Sequence, residues 1–457
     1  MKQSIIAALM AVIIMPGSLA AGEVERAERA SATVDAILAG DGDAASAHFN
    51  DTLRAALPVA QITGIVDALR QQVGEPGGRG PLRHGCEAGH HTVWQRIDFA
   101  RAQLDARLVF DDEDRIGGLF FVPPQTETPC AAESGAQVGD NGDAAASGRD
   151  PREREVSVGA ADWPLPGLLT LPDGEGPFPA VVLVHGSGPH AAAEPIFASK
   201  PCRDIAHGLA DRGIASLRYV KRSKQHGARM TTQTPGFGID EEVTDDAVAG
   251  MDWLPAQDAV DASRLHVLGH SLGAMLAPRI CQRSRQCAGM IVLAAPTRPV
   301  DELVLEQIRY LAPHQDISDE QIAALEEQAA QVARLRAGDE VEGPLLLGLS
   351  AAYWRSLGDY DPVASARAAA RPMLILQGER DYQVTMADFA GWRDGLSGIA
   401  DIRLQSYPAL DHLFMAGSGA SLPADYMQPR NVDMQVIDDI AAWINDRPGR
   451  TTSETAR

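Results

Sequence analysis

The sequence is poor in basic residues and in long apolar runs. It has 40 Lys and Arg against 62 Asp and Glu, a formal net charge of -22. Such a charge repels nucleic acid and anionic membrane surfaces. After the first twenty residues, no segment of the sequence approaches the ~20 apolar residues that a transmembrane helix needs. We therefore expect neither a nucleic-acid partner nor a stable insertion in a membrane.

The sequence also lacks a repeating period, although it contains 43 Gly and 29 Pro. This excludes collagen-like and solenoid architectures. Hydrophobic residues make up 45% of the chain and charged residues 22%, so that an ordinary globular core can form. At 457 residues the chain is longer than one ordinary core requires, which favours two domains or one large domain with attachments.

The N-terminus has the three parts of a secretory signal peptide. Lys2 supplies positive charge, residues 5–15 form an apolar run, and Ser18-Leu19-Ala20 provides a cleavage site of small residues. We predict a signal peptide over residues 1–21 and export, either to the periplasm or as a secreted protein. No Cys lies at the cleavage site, and nothing in the sequence supports a lipid anchor.

Cysteines are few, and their number is odd. In a compartment that permits disulfides, their positions favour Cys86–Cys130 and Cys281–Cys287, with Cys202 left free. The histidines around Cys86 match no spacing of a zinc site. We predict no metal and no cofactor.

A segment with hardly any large apolar residue divides the chain. Residues 126–152 are mostly Ala, Gly, Ser, Asp and Glu, a composition that buries too little surface to order itself, and we interpret them as a flexible linker. Before it, residues 22–125 predict a small α+β domain. Apolar residues at helical spacing lie between positions 24 and 73, and alternating patterns predict strands over 92–100, 103–110 and 115–122.

Residues 153–457 alternate short apolar runs with helical stretches, the pattern of a mainly parallel sheet covered on both faces. The predicted strands span 156–158, 165–171, 180–184, 214–219, 265–268, 290–293, 373–376 and 402–407, and the first two are expected to form an antiparallel pair. Residues 298–361 contain helical patterns at 303–311 and 322–335 but no predicted strand. We expect this insertion to be a helical lid over the strand ends.

The central motif is Gly269-His270-Ser271-Leu272-Gly273. It follows the short apolar run 265–268 and precedes a helical pattern at 274–277. A strand, a sharp turn and a helix are what a nucleophile elbow requires, since the serine hydroxyl must stand out above the sheet. We predict Ser271 to be a nucleophile rather than an ordinary loop serine.

A serine hydroxyl needs a base, and the base needs an orienting acid. His412 follows the last predicted strand and fits the base, whereas the other histidines lie elsewhere along the chain. Asp381 follows strand 373–376 and fits the acid, with Glu379 as its main rival. Asp411 is adjacent to His412, and adjacency generally prevents the required side-chain geometry.

Acyl transfer also needs hydrogen-bond donors for the oxyanion. The backbone N–H of Leu272, directly after the nucleophile, is one candidate. The loop His185-Gly186-Ser187-Gly188-Pro189 follows strand 180–184, and its small residues allow close approach of the backbone. We name the Ser187 N–H as the second donor, although a simple glycine turn has the same pattern.

These motifs, together with Leu217-Arg218-Tyr219-Val220-Lys221-Arg222, resemble those of bacterial α/β-hydrolases of the dienelactone-hydrolase and acyl-peptidase-like esterase branch. The first unit resembles a small N-terminal domain of unknown role that precedes some of these hydrolases. Relatives often have Asp where Val220 stands, and members with dienelactone activity use a cysteine nucleophile instead of serine. The resemblance implies an α/β-hydrolase fold and hydrolysis of a small acyl ester.

Three functions remain open at this stage. The first is a carboxylesterase that works through an acyl-enzyme. The second is a serine peptidase or acyltransferase of the same fold. The third is a binding protein that has kept the catalytic residue types without the activity. The acyl and alcohol parts of the substrate, and any role of the N-terminal domain beyond an accessory one, do not follow from the sequence.

Overall fold

The computed structural model describes residues 21–449 except for scattered positions between 51 and 72, residues 88–89, 112, 123–149, 235, 315–318 and 344. The chain divides into two compact units, residues 1–138 and 139–457. The predicted signal peptide up to residue 20, the linker core 126–149 and Cys130 lie outside the described residues, and the domain boundaries stay predictions.

The first unit contains a four-stranded antiparallel sheet in the order β1-β2-β3-β4. Its strands are β1 (Pro76–Glu87), β2 (His90–Phe99), β3 (Gln103–Phe110) and β4 (Ile116–Val122). Helices Ala21–Ala39 and Gly42–Ser46 precede the sheet. Val34, Ile97 and Leu108 are among the residues of a core that belongs to this unit alone.

Three of these four strands were predicted, but β1 was not. Its sequence, Pro-Gly-Gly-Arg-Gly-Pro-Leu-Arg-His-Gly-Cys-Glu, has no alternation of apolar and polar residues. As an edge strand it pairs only with β2, and the pairing is shifted at two places between Pro76 and Leu82. Gly and Pro are tolerated at such an edge, where β2 supplies the register that the local sequence does not encode.

The second unit is built on an eight-stranded sheet in the order β12-β11-β10-β9-β7-β8-β6-β5. Strands β7 to β12 are parallel, and β5 and β6 add an antiparallel pair at one edge. The strands are β5 (Glu153–Val158), β6 (Leu165–Thr170), β7 (Phe178–Val184), β8 (Ala215–Tyr219), β9 (Val260–His270), β10 (Cys287–Leu293), β11 (Met373–Gly378) and β12 (Ile402–Tyr407). This topology confirms the predicted α/β-hydrolase fold, with all eight strands at the predicted places.

Both faces of the sheet are covered, which explains why its strands are apolar throughout. Successive side chains of a strand point to opposite faces. In β7, Val182 and Val184 belong to one buried cluster, while Val181 and Leu183 belong to another. Each cluster is completed by helices that connect the parallel strands. The helices of this unit are Pro201–Ala210, Arg222–Gln225, Gly227–Gln233, Asp245–Trp253, Leu272–Arg283, Val300–Leu311, Asp319–Arg336, Ala351–Gly358, Pro362–Ala369, Met386–Gly395 and Met434–Asn445.

The insertion 298–361 is helical and contains no strand among its described residues. It contacts the loop that follows β11. The ring of Tyr310 stacks on that of Tyr382 with centroids 5.0 Å apart, and Gln307 Nε2 donates to the Gln383 carbonyl at 2.9 Å. The insertion thus lies at the carboxyl ends of the parallel strands. Its function as a lid stays a prediction.

Two of the cysteine predictions are confirmed. Cys281 and Cys287 form a disulfide between the end of a helix and the start of β10, and Cys202 is a buried free thiol. The predicted Cys86–Cys130 pair involves a residue outside the described part of the chain. Of the helices that the structure describes, none is long and apolar enough to cross a membrane.

Candidate active site

Ser271 lies in the sharp turn between β9 and the helix Leu272–Arg283. Its backbone angles are φ 52° and ψ -116°, a conformation that non-glycine residues rarely adopt. The Ser271 N–H donates to the Leu293 carbonyl of the neighbouring strand β10 at 2.9 Å, and the Ser271 carbonyl accepts from Met275 N at 2.9 Å. The strand and the helix therefore fix the strained turn from both sides.

Two glycines of the motif are required by packing. A Cβ at Gly273 would collide with the Val184 carbonyl oxygen and would lie 2.6 Å from the carbonyl oxygen of His185. A Cβ at Gly269 would collide with the backbone of Gly273. Contacts this short do not occur in proteins, so the turn closes only with glycine at both positions.

The structure brings Asp381 and His412 together. His412 Nδ1 lies 2.7 Å from Asp381 Oδ2, and both side chains are buried. Asp381 follows β11 and His412 follows β12, two parallel neighbours whose carboxyl ends meet at one edge of the sheet. With Nδ1 occupied by the carboxylate, Nε2 is the ring nitrogen that is left to receive a proton.

The remaining bonds of the Asp381 carboxylate fix its orientation. Oδ1 accepts from the N–H groups of Gln383 and Val384, at 2.8 and 3.0 Å, and Oδ2 also accepts from Gln377 Nε2 at 3.1 Å. A carboxylate that accepts from this many donors is held in one rotamer. Gln377, on β11, was not predicted as part of the site.

The two rival carboxylates have other partners. Glu379 is exposed, and its Oε1 accepts from Ser406 Oγ at 2.8 Å. Asp411 accepts from the backbone N–H groups of Leu413 and Met415, and it binds Arg430 at 2.8 Å. Glu379 thus bonds to β12 and Asp411 to its own loop and to Arg430, and Asp381 is the carboxylate that contacts His412.

The turn of Ser271 also contacts the loop of His412. His270, which directly precedes Ser271, has its ring centroid 4.8 Å from that of His412, and its Nε2 lies 3.0 Å from the His412 carbonyl oxygen. The loops after β9, β11 and β12 thus converge at the carboxyl edge of the sheet. The catalytic roles of Ser271, Asp381 and His412 stay predictions, which we take up below.

The loop after β7 runs beside the nucleophile turn. A Cβ added at Gly186 would lie 3.3 Å from Ser271 Cβ, so the backbone of this loop packs tightly against Ser271. The Gly186 N–H donates to Glu194, and the Ser187 carbonyl oxygen lies 2.6 Å from His190 Nε2.

Among the described residues, the Ser187 N–H has no acceptor. The Leu272 N–H is at the first helical position, where no intrahelical acceptor exists. Both predicted oxyanion donors are therefore available.

A buried polar network behind this loop was missed by the sequence reasoning. Glu194 Oε1 accepts from Gly186 N at 2.7 Å and lies 3.2 Å from His270 Nδ1, and Cys202 Sγ donates to Glu194 Oε2 at 3.0 Å. On the other side of the loop, Lys221 Nζ donates to the Gly186 carbonyl at 2.9 Å. Glu194 is 0% and Lys221 2% exposed. The sequence analysis did not name Glu194, and nothing in the sequence indicated that Glu194 and Lys221 are buried on either side of this loop.

The charges in this network stabilise one another. Burial raises the pKa of Glu194, but His270 and its neighbours lower it more, to well below the usual range. Burial lowers the pKa of His270, but the charge of Glu194 and its hydrogen bond raise it above the ordinary value. Both ring nitrogens of His270 face acceptors, the Glu194 carboxylate and the His412 carbonyl, and only a protonated ring donates to both. Glu194 and His270 therefore form a buried ion pair.

A cavity of about 220 Å³ lies on the side of the helical insertion. It is lined by Met275, one turn after Ser271, and by Arg298, Asp301, Arg336 and Trp354 among others. None of the predicted catalytic residues lines it. Its two arginines pair with carboxylates, Arg298 with Asp388 and Arg336 with Asp301. Within the described part of the chain, no group of three or more His, Cys, Asp or Glu is arranged to hold a metal ion.

Comparison with known proteins identifies a family. Residues 176–417 match the model of the family described as "Serine aminopeptidase, S33". Esterase EstD of Thermotoga maritima is 34% identical over 398 residues, which are 86% of this chain and 89% of the esterase.

Three solved structures of hydrolases also show similarity, each with a TM-score below 0.5. A 2,6-dihydroxy-pseudo-oxynicotine hydrolase has a TM-score of 0.41 and 18% identity, covering 64% of this chain and 67% of that one. A Pyrococcus furiosus esterase has 0.41 and 12%, covering 64% and 90%. An Anabaena variabilis dienelactone hydrolase has 0.40 and 17%, covering 66% and 100%.

Proposed function

The chain belongs to the serine aminopeptidase S33 family of hydrolases, and we propose that it is a carboxylesterase that cleaves a small acyl ester through an acyl-enzyme. The observation that carries this proposal is the 2.7 Å contact between His412 Nδ1 and Asp381 Oδ2, at the sheet edge where Ser271 stands in its strained turn. The similarity to an enzyme named an esterase, over 86% of the chain, supports the choice of an ester as substrate.

In the proposed mechanism, Ser271 Oγ attacks the ester carbonyl and His412 Nε2 takes its proton. Asp381 keeps the imidazole in the tautomer with a proton on Nδ1 and stabilises the imidazolium that forms. The N–H groups of Leu272 and Ser187 bind the oxyanion of the tetrahedral intermediate. The alcohol leaves with the proton from His412, and a water molecule activated by the same ring then hydrolyses the acyl-enzyme. These steps need only side chains, backbone donors and water.

The first test replaces the nucleophile. Ser271→Ala is expected to abolish hydrolysis of p-nitrophenyl acetate, and to prevent labelling by a fluorophosphonate, without loss of the fold. The matched control is Ser397→Ala, the same change at an exposed serine in a distant turn. If Ser271→Ala retains the wild-type rate, or if folded wild-type protein is not labelled, the assignment is wrong. Absence of labelling would favour the reading as a binding protein.

A second test separates the esterase from a peptidase, which the family description also suggests. The values of kcat/KM are compared for a short acyl ester and for an aminoacyl amide whose leaving groups have the same shape. We expect the ester to be turned over faster by more than the difference in their intrinsic reactivity. Preference for the amide with a free amino group would point to aminopeptidase activity instead.

We also propose that the protein is exported. The signal-like sequence at residues 1–21 supports this, and so does the Cys281–Cys287 disulfide, since disulfides persist mainly in oxidising compartments. Expression of the full chain in a Gram-negative host with fractionation of the cells tests it. Mature protein that begins near residue 22 in the periplasm or medium is expected, whereas uncleaved protein in the cytoplasm would contradict the proposal.

A further inference from the structure

We propose that Lys221 is a positioning residue for the oxyanion hole, which orients the Ser187 N–H by holding the carbonyl group of the same peptide bond. This inference rests on the proposed acyl-transfer function. It concerns a buried lysine to which that mechanism gives no role.

The argument starts from the peptide bond between Gly186 and Ser187. Its carbonyl oxygen, that of Gly186, accepts from Lys221 Nζ at 2.9 Å. A trans peptide is planar, and its C=O and N–H groups point in opposite directions. When Lys221 draws the carbonyl to one side, the Ser187 N–H is directed to the other side. The lysine thus determines which way the donor points without touching the substrate.

The preceding peptide bond is held as well. Its N–H, that of Gly186, donates to the buried carboxylate of Glu194 at 2.7 Å. Both peptide groups of Gly186 therefore bond to fully buried charged side chains of opposite sign. Since Gly186 has no side chain and would otherwise have wide backbone freedom, these two bonds restrict its rotation beside Ser271.

Lys221 is itself firmly placed. Its backbone N–H donates to the His190 carbonyl at 2.9 Å, at the far end of the same loop. Its ammonium group also contacts Glu242 Oε1 at 3.1 Å, and Glu242 Oε2 accepts from the hydroxyl of Tyr353, in the helical insertion, at 2.5 Å. A buried ammonium group is costly unless it is paired and hydrogen-bonded, and here both conditions are met.

A change in the direction of the Ser187 N–H would mainly raise the free energy of the transition state. The substrate carbonyl is a weak acceptor, and the oxyanion that forms from it is a strong one, so a misdirected donor costs more in the transition state than in the bound substrate. Loss of Lys221 should therefore lower kcat with little change of KM. A lysine that only supported the fold would change stability without this split.

The experiment compares Lys221→Met with Lys224→Met, the same change one turn away at an exposed position. For p-nitrophenyl acetate we expect Lys221→Met to lower kcat about 10- to 100-fold, with KM changed less than about threefold. The inhibition constant of a trifluoromethyl ketone, whose hemiketal adduct with Ser271 carries an oxyanion, should rise by a similar factor. Lys224→Met should match the wild type in all three quantities.

A second variant is the control for misfolding. Lys221→Met leaves Glu242 buried without its cation, and the double variant Lys221→Met/Glu242→Gln removes that charge as well. The same kcat loss is expected in the double variant. Folded Lys221→Met or double variant with wild-type kcat and inhibitor affinity would overturn the inference, as would an equal effect of Lys224→Met.

The inference and the proposed function fail in different ways. If Ser271→Ala keeps the esterase activity, the proposed function is wrong, and the oxyanion role of Ser187 falls with it. If Ser271→Ala is inactive while the folded Lys221 variants are as active as the wild type, the serine mechanism stands and only the role of Lys221 is rejected.

Discussion

Asp381 Oδ2 and His412 Nδ1 are 2.7 Å apart although 31 positions separate the two residues. They follow the carboxyl ends of two adjacent parallel strands, β11 and β12. These strands pair in register from Met373 opposite Ile402 to Gly378 opposite Tyr407. The distance between the acid and the base is therefore a property of the sheet register. A change that disturbs this register would uncouple the pair without altering either residue.

Asp381→Asn should lower kcat by about three to four orders of magnitude with a small change of KM, because the amide favours the wrong tautomer of His412. The matched control is Glu379→Gln, which removes the same charge two residues away at an exposed position. It should stay close to wild type. Steady-state kinetics with p-nitrophenyl acetate measures both, and equal losses in the two variants would contradict the assignment of Asp381.

Gly273→Ala should destabilise the protein by more than about 3 kcal/mol, because its Cβ collides with the Val184 carbonyl oxygen at the end of β7. Gly227→Ala is the matched control. A Cβ at Gly227, at the start of a helix, meets no atom within 4 Å, so this change should be neutral or slightly stabilising. Urea unfolding followed by circular dichroism gives both values, and a tolerated Gly273→Ala would show that the turn can relax.

Loss of the Cys281–Cys287 disulfide should cost about 2 kcal/mol, as expected for a loop closed over six residues of separation. The double variant Cys281→Ser/Cys287→Ser is compared with the wild type by thermal unfolding, with and without dithiothreitol. The reductant should destabilise the wild type and leave the double variant unchanged. Esterase kinetics should be the same in both, since the bridge lies at the opposite end of the helix that begins after Ser271.

The stability of the protein should fall as the pH drops below 6.5. Burial lowers the pKa of His185 and of His266 from 6.5 to about 3. Between these values the unfolded chain binds a proton at each histidine that the folded protein does not, so stability decreases as the pH falls through this window. Each histidine contributes up to about 1.4 kcal/mol per pH unit.

His266→Phe isolates one of these contributions. The phenyl ring can keep the edge contact with Trp443, whose ring centroid lies 5.5 Å away, but it does not titrate. The loss of unfolding free energy between pH 7 and 5 should be smaller than in the wild type by about 2 kcal/mol. Between pH 7 and 8 the two proteins should show the same slope. Equal slopes in the acidic window would mean that His266 does not contribute.

The prediction of the fold succeeded where the pattern was local. Buried strands such as β7 and β11 are short apolar runs between turn residues, and they lie where the sequence indicated. β1 escaped detection because its Gly and Pro residues carry no alternation, and its pairing with β2 supplies the order. A short stretch of sequence does not reveal that it will pair with a strand elsewhere in the chain.

The residues of the site also divide into those that the local sequence predicts and those that it does not. Gly269 and Gly273 frame Ser271 within one short segment, and the collisions that a Cβ would cause there arise largely from the turn itself and the end of β7. Asp381 was predicted from its place after the strand 373–376, with Glu379 as its main rival, and the contact with His412 decides between them. Glu194 and Gln377 could not be chosen, since a carboxylate or amide becomes significant only through the buried donors that surround it.

The sequence by itself determined the class of fold, the turn that exposes Ser271 and the order in which acid and base follow it, because hydrophobic periodicity and glycine spacing act over a few residues. Only the tertiary structure decided that His270 pairs with Glu194, that Asp381 reaches His412, and that Lys221 holds the Gly186 carbonyl. These contacts join loops from different strands, and their distances depend on how the whole sheet and its helices pack.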